Sequence, residues 1–297
     1  MAPVAIIVCT LDRPKALRVV LESIEQSSIA AARVIVSDDG ADPCTEFVCR
    51  DARLPVVYVS GPRRGLGPNR NHALRHVDED TVLFLDDDCQ LGPDFLAKAL
   101  ACMHNGEARY GPGCVIVTGV ERNRGAIVEA AAQTFLGFQS RPYKVTESIT
   151  SIVINACLFP RSLFDRYLFD ERIRYGYEEV DLASRAARAG YTIVSCPEAV
   201  NDHSPSPISR AGRETVTTAS RLFVTFKRYA FTDRRYTLAA VYLLIGPAHA
   251  IGAATRRRGI AGLGSGVCAV TKAAGYLWSY ARDRDTGERA AARSPNG

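Results

Sequence analysis

Apolar residues in the first 120 positions fall into short runs separated by segments with helical spacing. The runs are rich in Val and Ile and predict buried strands at residues 4–8, 34–36, 56–59 and 82–85. In the first intervening segment, Leu17, Leu21 and Ile24 recur at the spacing of one helix face. The alternation of strands and helices predicts right-handed crossovers and a mostly parallel, Rossmann-like α/β sheet flanked by helices.

The pattern after residue 120 is less regular. We predict strands at 114–120, 149–158 and 191–195, helices at 92–103 and 178–189, and a loop with a helix at 123–147. These elements predict an α/β domain over residues 1–205, with halves at 1–120 and 121–205, then a helical region over 206–282 and a disordered tail over 283–297.

Three acidic residues follow the predicted strand at 82–85 directly. Asp86, Asp87 and Asp88 cannot lie unpaired inside a buried strand, so we place them past its carboxyl end, where open α/β sheets bind ligands. Adjacent carboxylates repel one another unless a cation lies among them. A hard divalent cation that holds a phosphate is one interpretation, and a solvated turn capping the next helix is the other.

A loop rich in glycine and arginine occupies residues 61–72. Arg63, Arg64 or Arg70 would suit a phosphate, because guanidinium groups bind oxyanions with two hydrogen bonds, whereas the alternative is a solvated surface loop. The sequence has neither a G-x-G-x-x-G fingerprint after the first strand nor a P-loop motif. Both absences argue against a dinucleotide oxidoreductase and against a P-loop enzyme.

Carboxylates also begin the predicted helix at 178–189. Glu178 and Glu179 are favoured there by the helix dipole, which is a sufficient structural reason for their presence. A carboxylate held on a rigid helix can also act as a general base. His203 follows the last predicted strand, beside Asp202, in a polar loop where it serves either a structural or a ligand role.

Composition narrows the class of protein. The chain is 47% hydrophobic and 23% charged, which is typical of a folded globular protein. Its net charge of +5 suits phosphorylated ligands or an anionic membrane but is too small to indicate nucleic acid. The nine cysteines show no C-x-x-C or zinc-like spacing, so we expect reduced thiols in the cytoplasm. We also expect no secretion signal at the N-terminus.

An uncharged apolar run at residues 238–254 is followed by Arg256, Arg257 and Arg258. Aromatic residues, including Trp278, lie in a second apolar segment farther along. One interpretation is a pair of helices that bind a membrane surface. The other is a pair of helices that pack on the α/β domain or on another subunit, which would give a homo-oligomer.

Taken in order, these motifs resemble those of the family 2 glycosyltransferases of GT-A fold, over residues 4–204. The resemblance is carried by VAIIVCTLDRP, VIVSDDG, RRGLGPNRNHAL, LDDDC, INACLFPRSLFD and FDERIRYGYEEVDLASRAARAGY. LDDDC is similar to the D-x-D motif of that family. Arg63 and Asn69 replace the usual Asn and Ala of the N-x-G-x-x-x-A-R-N loop, and Glu179 stands where Asp is usual.

The resemblance implies a donor-binding half at 1–120 and an acceptor-binding half at 121–205. The implied contacts with the nucleotide sugar are Thr10, Asp12, Arg13, Asp39, Arg70, Asp86 and Asp87. Within that set, Thr10, Asp12 and Asp39 would hold the nucleobase, Arg70 would lie near the diphosphate, and Asp87 would point away from the two outer acids. The implied ligands of Mn²⁺ or Mg²⁺ are Asp86, Asp88 and His203. Glu179 would be the general base in a direct displacement with inversion, and Glu178 remains the alternative.

The implied partners are a nucleoside-diphosphate sugar, most often a UDP-sugar, and a hydroxyl acceptor on a saccharide, a lipid-linked sugar or a natural product. The implied location is the cytoplasm or the cytoplasmic face of a membrane. A nucleotidyltransferase acting on a sugar phosphate is an alternative, although CTLDRPK is a poor triphosphate loop. A non-catalytic nucleotide-sugar-binding subunit is another, against which Glu179 and His203 argue.

Overall fold

A mixed nine-stranded sheet forms the centre of the described part of the chain, which comprises residues 3–144, 146–204 and 213–292 of a computed structural model. The strands are β1 Val4–Thr10, β2 Arg33–Asp38, β3 Val56–Ser60, β4 Thr81–Asp86, β5 Cys89–Gln90, β6 Val115–Asn123, β7 Ala126–Val128, β8 Ala131–Gln133, β9 Gln139–Pro142, β10 Cys157–Pro160 and β11 Thr192–His203. The α-helices are α1 Pro14–Glu25, α2 Cys44–Asp51, α3 Leu66–Leu74, α4 Phe95–Tyr110, α5 Glu178–Arg188, α6 Glu214–Lys227 and α7 Tyr236–Ala292.

The sheet order is β3-β2-β1-β4-β10-β6-β11-β5, with β7 added beside β6. The four neighbouring strands β3, β2, β1 and β4 run parallel to one another, as the sequence pattern predicts. Strands β6 and β11 are also parallel to each other. Strand β10 runs antiparallel to both of its neighbours, and β5 is antiparallel to β11. The sheet is therefore half Rossmann-like and half mixed.

Strand β1 is buried on both faces, which explains its continuous apolar run. Val4, Ile6 and Val8 face the core under α1, whereas Ala5 and Ile7 face the opposite core. A strand covered on both sides needs apolar residues at every position rather than at alternate ones. The polar residues that end β1 are thereby confined to the carboxyl edge of the sheet.

Two predictions for the second half of the α/β region are wrong. Only the end of the run at 149–158 is a strand, because a short 3₁₀ turn, Ile154–Ala156, precedes β10 and the hydroxyl of Thr118 accepts the Val153 N–H instead of a neighbouring strand. The loop and helix predicted at 123–147 are instead the short strands β7, β8 and β9, apart from Val145, which lies outside the described residues.

Strand β11 is longer than predicted. The sequence places its end at Ser195 because Pro197 cannot donate to a strand ladder. The structure continues the strand to His203, with a register shift against β6 between Ser195 and Val200 that accommodates the proline. This irregularity carries His203 to the end of the strand.

Residues fall into two compact units, and the first holds the sheet. It comprises residues 1–134, 139–174 and 178–211, and the second comprises 135–138, 175–177 and 212–297. The boundaries predicted at 205 and 282 remain predictions. The predicted tail at 283–297 lies outside the described residues except for the end of α7.

The second unit is built on α6 and α7. Helix α7 breaks at Gly259, which has a φ of 59° that favours glycine. Leu244, Ile260 and Trp278 are exposed by 77%, 89% and 69% of their surface. Among the described residues, one helical segment, Tyr236–Arg284, is long enough and contains a sufficiently apolar stretch to cross a membrane by length and composition alone. Few of its residues are buried, so an apolar surface remains exposed.

Candidate active site

The carboxyl ends of β1, β2 and β4 bring polar residues to one edge of the sheet. Thr10 is the register partner of Asp38, and Cys9 is the partner of Asp86. Parallel neighbours end at the same edge, so residues far apart in the chain become adjacent there. The predicted acids after β4 therefore lie beside the loop that follows β1.

Asp87 is buried and points to the β1 loop. Its carboxylate accepts a 2.7 Å hydrogen bond from the hydroxyl of Thr10 and forms an ion pair with Arg13. Burial raises the pKa of Asp87 to about 6, and the Thr10 hydrogen bond and the Arg13 charge oppose that rise. In this geometry Asp87 ties the two loops together.

Asp88 and His203 lie together across the sheet edge. His203 Nε2 is 3.3 Å from Asp88 Oδ1, and its Nδ1 is 2.7 Å from Glu121 Oε2. Arg13 approaches the other oxygen of Asp88 at 3.6 Å. Burial lowers the pKa of His203, but hydrogen bonds to Asp88 and Glu121 outweigh it and raise the pKa to about 10.

The donor set fits a divalent cation in part. Among the described residues, no cluster of three or more His, Cys, Asp and Glu side chains is arranged to hold a metal ion. Asp88 and His203 could nevertheless offer one oxygen and one nitrogen ligand, and Glu121 lies behind the imidazole as such carboxylates do behind metal-ligating histidines. Metals bound with phosphates take only one or two protein carboxylates, so this set suits a cation shared with a diphosphate.

Asp86 is held by groups other than its two acidic neighbours. Its carboxylate accepts a 2.9 Å bond from Arg70 Nη2 and a 3.3 Å bond from Asn155 Nδ2. Arg70 Nη1 reaches Glu178 at 3.1 Å. Arg70 is 1% exposed, and its guanidinium lies 6.0 Å from the Phe84 ring centroid. The structure therefore brings Arg70 to Asp86 and Glu178, whereas the motif places it near the diphosphate.

Helix α5 presents its two glutamates differently. Glu178 is buried against Arg70, and its Oε2 has no hydrogen-bond partner in the described structure. Burial raises the pKa of Glu178, and the charge of Arg70 opposes this. Glu179 is less buried, and its pKa is raised to about 8 by desolvation and by the charge of Glu178. A carboxylate with a pKa near 8 is suited to accept a proton close to neutral pH.

Asp12 and Asp39 organise backbone turns at the same edge. Asp12 Oδ1 accepts the N–H groups of Ala41 and Asp42 at 2.6 and 2.7 Å. The carboxylate of Asp39 accepts the N–H groups of residues 63 and 65, both at 2.9 Å. These bonds shape the loops after β2 and β3, whereas the nucleobase contacts implied by the resemblance, Thr10, Asp12 and Asp39, lie at the end of β1 and in the loops after β1 and β2.

Sequence reasoning missed two asparagines and Glu121. Asn155 Oδ1 accepts a hydrogen bond from the backbone N–H of Asp86 at 2.8 Å. The backbone carbonyl of Asn155 accepts a hydrogen bond from the side-chain amide of Asn201. Asn201 Oδ1 in turn accepts the N–H of Gly92 at 2.9 Å. Both asparagines are buried, so they link the end of β4 to β11 without solvent between them. Buried polar residues inside the runs around 149–158 and 192–203 were the available signal.

A half-parallel, half-mixed sheet whose carboxyl edge gathers these acids has the architecture of the GT-A fold, with the acids at the edge where such sheets bind ligands. The chain belongs to glycosyl transferase family 2, whose model matches residues 5–169. That match spans more than half of the chain. The predicted family, the GT-A fold and the enzyme class are confirmed.

Two relatives of known role are similar in sequence. A GalNAc(5)-diNAcBac-PP-undecaprenol beta-1,3-glucosyltransferase of Campylobacter jejuni is 27% identical over 39% of this chain and 39% of its own length. The succinoglycan biosynthesis protein ExoM of Rhizobium meliloti is 28% identical over 69% of this chain and 67% of its own length. The matched chain thus spans about two fifths of the first relative and about two thirds of the second.

Solved structures share the fold. S. aureus TarS 1-349, in complex with UDP-GlcNAc, has a TM-score of 0.60 at 15% identity, covering 90% of this chain and 81% of that chain. The mannosyltransferase PcManGT from Pyrobaculum calidifontis, in complex with GDP-Man and Mn²⁺, has a TM-score of 0.56 at 20% identity, covering 99% and 81%. At these identities the likeness concerns the fold.

Proposed function

We propose that this protein is an inverting, metal-dependent glycosyltransferase that moves a sugar from a nucleoside-diphosphate sugar to an acceptor hydroxyl. The observation that carries the proposal is the Asp88–His203 pair, backed by Glu121, at the carboxyl edge of a family 2 fold. Asp88 and His203 would hold Mn²⁺ or Mg²⁺ there. When bound, the cation would offset the negative charge that develops on the departing diphosphate.

Donor binding is assigned to the loops after β1, β2 and β4. Thr10, Asp12 and Asp39 shape the nucleobase end, and Arg13 lies between Asp87 and Asp88 with a positive charge that suits a phosphate. Arg70 is buried and already paired with Asp86 and Glu178, so we assign it the role of fixing Asp86 rather than of binding phosphate.

Glu179 is the proposed general base. It would take the proton of the acceptor hydroxyl at a carboxylate oxygen while that hydroxyl attacks the anomeric carbon from the face opposite the diphosphate, which inverts the configuration. Glu178 is the weaker candidate because Arg70 already holds one of its oxygens in a buried ion pair. Glu178 would raise the proton affinity of its neighbour through its charge.

A UDP-sugar is the proposed donor, and GDP- and dTDP-sugars are the competing donors for the assay. TarS was solved with UDP-GlcNAc and PcManGT with GDP-Man, so the fold accepts either base. The name of the Campylobacter relative describes a glucosyltransferase that acts on an undecaprenol-linked glycan. We accordingly propose a lipid-linked sugar or a saccharide as acceptor and a position at the cytoplasmic face of a membrane, which the exposed apolar surface of α7 supports.

The experiment that tests this function measures release of nucleoside diphosphate from a panel of UDP-, GDP- and dTDP-sugars, with Mn²⁺ and with EDTA. We expect turnover of one donor class that requires the cation and that is abolished in Asp88→Ala. Release of inorganic pyrophosphate from a sugar phosphate and a nucleoside triphosphate would indicate the nucleotidyltransferase instead. Binding of a donor without any turnover, with or without an acceptor, would indicate a non-catalytic subunit.

A further inference from the structure

Two cysteines that are distant in the sequence meet where α4 packs on β11. Cys102 Sγ lies 4.0 Å from the carbonyl oxygen of Ser195, and Cys196 Sγ lies 3.8 Å from the carbonyl oxygen of Lys98. Each thiol thus contacts the backbone near the other cysteine. Ser195 is the residue before Cys196 on the strand, and Lys98 lies about one helical turn before Cys102. A pair formed by a helix and a strand in this way has no spacing signature in the sequence.

The two thiols have different environments. Cys102 keeps part of its surface accessible, whereas Cys196 is 4% exposed. The hydrogen bond from Cys196 lowers the pKa of Cys102 to about 7, and desolvation opposes that fall. The same bond and burial raise the pKa of Cys196. An accessible thiolate beside a buried thiol is the arrangement in which one sulfur attacks an oxidant and the other resolves the product.

We propose that Cys102 and Cys196 form a redox modification site at which a peroxide converts the two thiols into an intramolecular disulfide. The Cys102 thiolate attacks one oxygen of hydrogen peroxide, the O–O bond breaks, and the released hydroxide takes a proton to become water. The Cys196 sulfur then attacks the sulfur of the Cys102 sulfenic acid. The S–S bond forms as the S–O bond breaks, and a second water leaves with the Cys196 proton.

This site is separate from the proposed active-site residues and does not depend on the proposed function. Its disulfide would fasten α4 to β11 beside the register shift between Ser195 and Val200. Strand β11 ends in His203, so oxidation would restrain the strand that carries that histidine.

The test is peptide mapping of the full chain, reduced and then treated with hydrogen peroxide. Remaining thiols are blocked with N-ethylmaleimide, the protein is digested without reductant, and the peptides are identified by mass spectrometry. We expect one joined pair that contains Cys102 and Cys196 and that separates on reduction. Cys114→Ser, which removes an exposed cysteine outside this contact, is expected to leave the joined pair unchanged.

The resolving role is tested with Cys196→Ser. This variant is expected to form no joined pair and to accumulate a sulfenic acid at Cys102 that dimedone labels. The proposal is overturned if both cysteines of the peroxide-treated protein are recovered as separate blocked peptides, or if Cys102 is oxidised no faster than Cys114. Mapping of the unsubstituted protein decides the matter even where the variant does not fold.

Discussion

At the scale of single residues, Glu179 carries the sharpest chemical claim. Its pKa is raised from 4.5 to about 8, first by desolvation and then by the charge of Glu178. A general base must be deprotonated before it accepts a proton, so its ionisation controls the rate below that pKa. The neighbouring ion pair of Glu178 with Arg70 leaves Glu179 as the more available carboxylate.

Replacing Glu179 by Gln is expected to lower kcat by about a hundredfold to ten-thousandfold, the usual range for loss of a general base. In the unsubstituted enzyme kcat should rise with pH to a plateau above about 8. Glu178→Gln removes a negative neighbour and should move the midpoint of this profile to lower pH. Unchanged pH profiles of kcat in both variants would contradict the assignment.

The same raised pKa has a consequence for stability. The folded protein holds a proton on Glu179 up to about pH 8, whereas the unfolded chain releases it near pH 4.5. This contribution to stability is therefore full below pH 4.5 and is lost as the pH rises through about 8. We expect Glu179→Gln to gain thermal stability relative to the unsubstituted protein over that range, measured as Tm at several pH values. A Tm difference that does not change with pH would contradict it.

The side chain of Asn155 contributes to the stability of the fold rather than to the proposed chemistry. It is 2% exposed and accepts the backbone N–H of Asp86 at 2.8 Å. Asn155→Ala leaves that buried N–H without a partner, which costs about 1–3 kcal/mol in the free energy of unfolding. Urea denaturation measures the loss, and Asn105→Ala, on the exposed face of α4, is the control expected to change little. Equal stabilities of the two variants would argue against the link.

A site residue can be recognised from the sequence alone when the residues that act with it belong to the same motif. Asp86, Asp87 and Asp88 are adjacent in the chain, so their position after a buried strand is readable directly. Glu121 and Asn155 act through contacts made across strands, and nothing near them in sequence indicates those partners. Which groups hold Asp86 depends on packing, which periodicity does not report.

At the scale of elements, alternation of apolar runs was sufficient for β1 to β4 and for α1. It was not sufficient for α3, which begins at Leu66 inside the loop predicted at 61–72. The predicted strand boundaries were wrong where backbone groups form hydrogen bonds outside the ladder between neighbouring strands. Pro197 does not end β11, because the register shift next to it absorbs the missing N–H. The segment around Asn155 is not a strand, since the side chains of Thr118 and Asn201 form hydrogen bonds with its backbone.

Gly92 lies in the turn after β5, where the backbone passes close to β11. A Cβ at this position would overlap the carbonyl oxygen of Val200, a backbone atom that cannot rotate away. Gly92→Ala is therefore expected to lower the free energy of unfolding by about 1–3 kcal/mol, as other overpacked substitutions do. Gly275→Ala in α7 has open space around it and should stabilise by about 0.5–1 kcal/mol. Thermal denaturation compares the two, and a stable Gly92→Ala protein would contradict the contact.

At the scale of the whole molecule, the exposed apolar residues of α7 raise the question of what covers them. Leu243 and Leu244 are 50% and 77% exposed, and Arg256 to Arg258 follow on the same helix. Apolar residues beside clustered arginines are typical of helices that bind anionic membranes.

Co-sedimentation with vesicles that contain anionic lipid tests this surface. We expect the full chain to bind, and we expect binding to fall when Leu243 and Leu244 are both changed to Gln. Leu168→Gln, which removes an exposed leucine outside α7, is the control expected to bind as before. A protein that stays in the supernatant and sediments as a dimer in ultracentrifugation would favour the subunit contact over the membrane.

In the proposed function, Asp88 and His203 hold the cation through which a nucleoside diphosphate binds, and calorimetric titration with UDP measures that binding. We expect UDP to bind in Mn²⁺ and not to bind in EDTA, and we expect Asp88→Ala to lose the binding in Mn²⁺. Asp202→Ala, which removes an exposed carboxylate paired with Arg122 one residue before His203, should bind as the unsubstituted protein does. Equal affinity for UDP in Mn²⁺ and in EDTA, or unchanged affinity in Asp88→Ala, would contradict it.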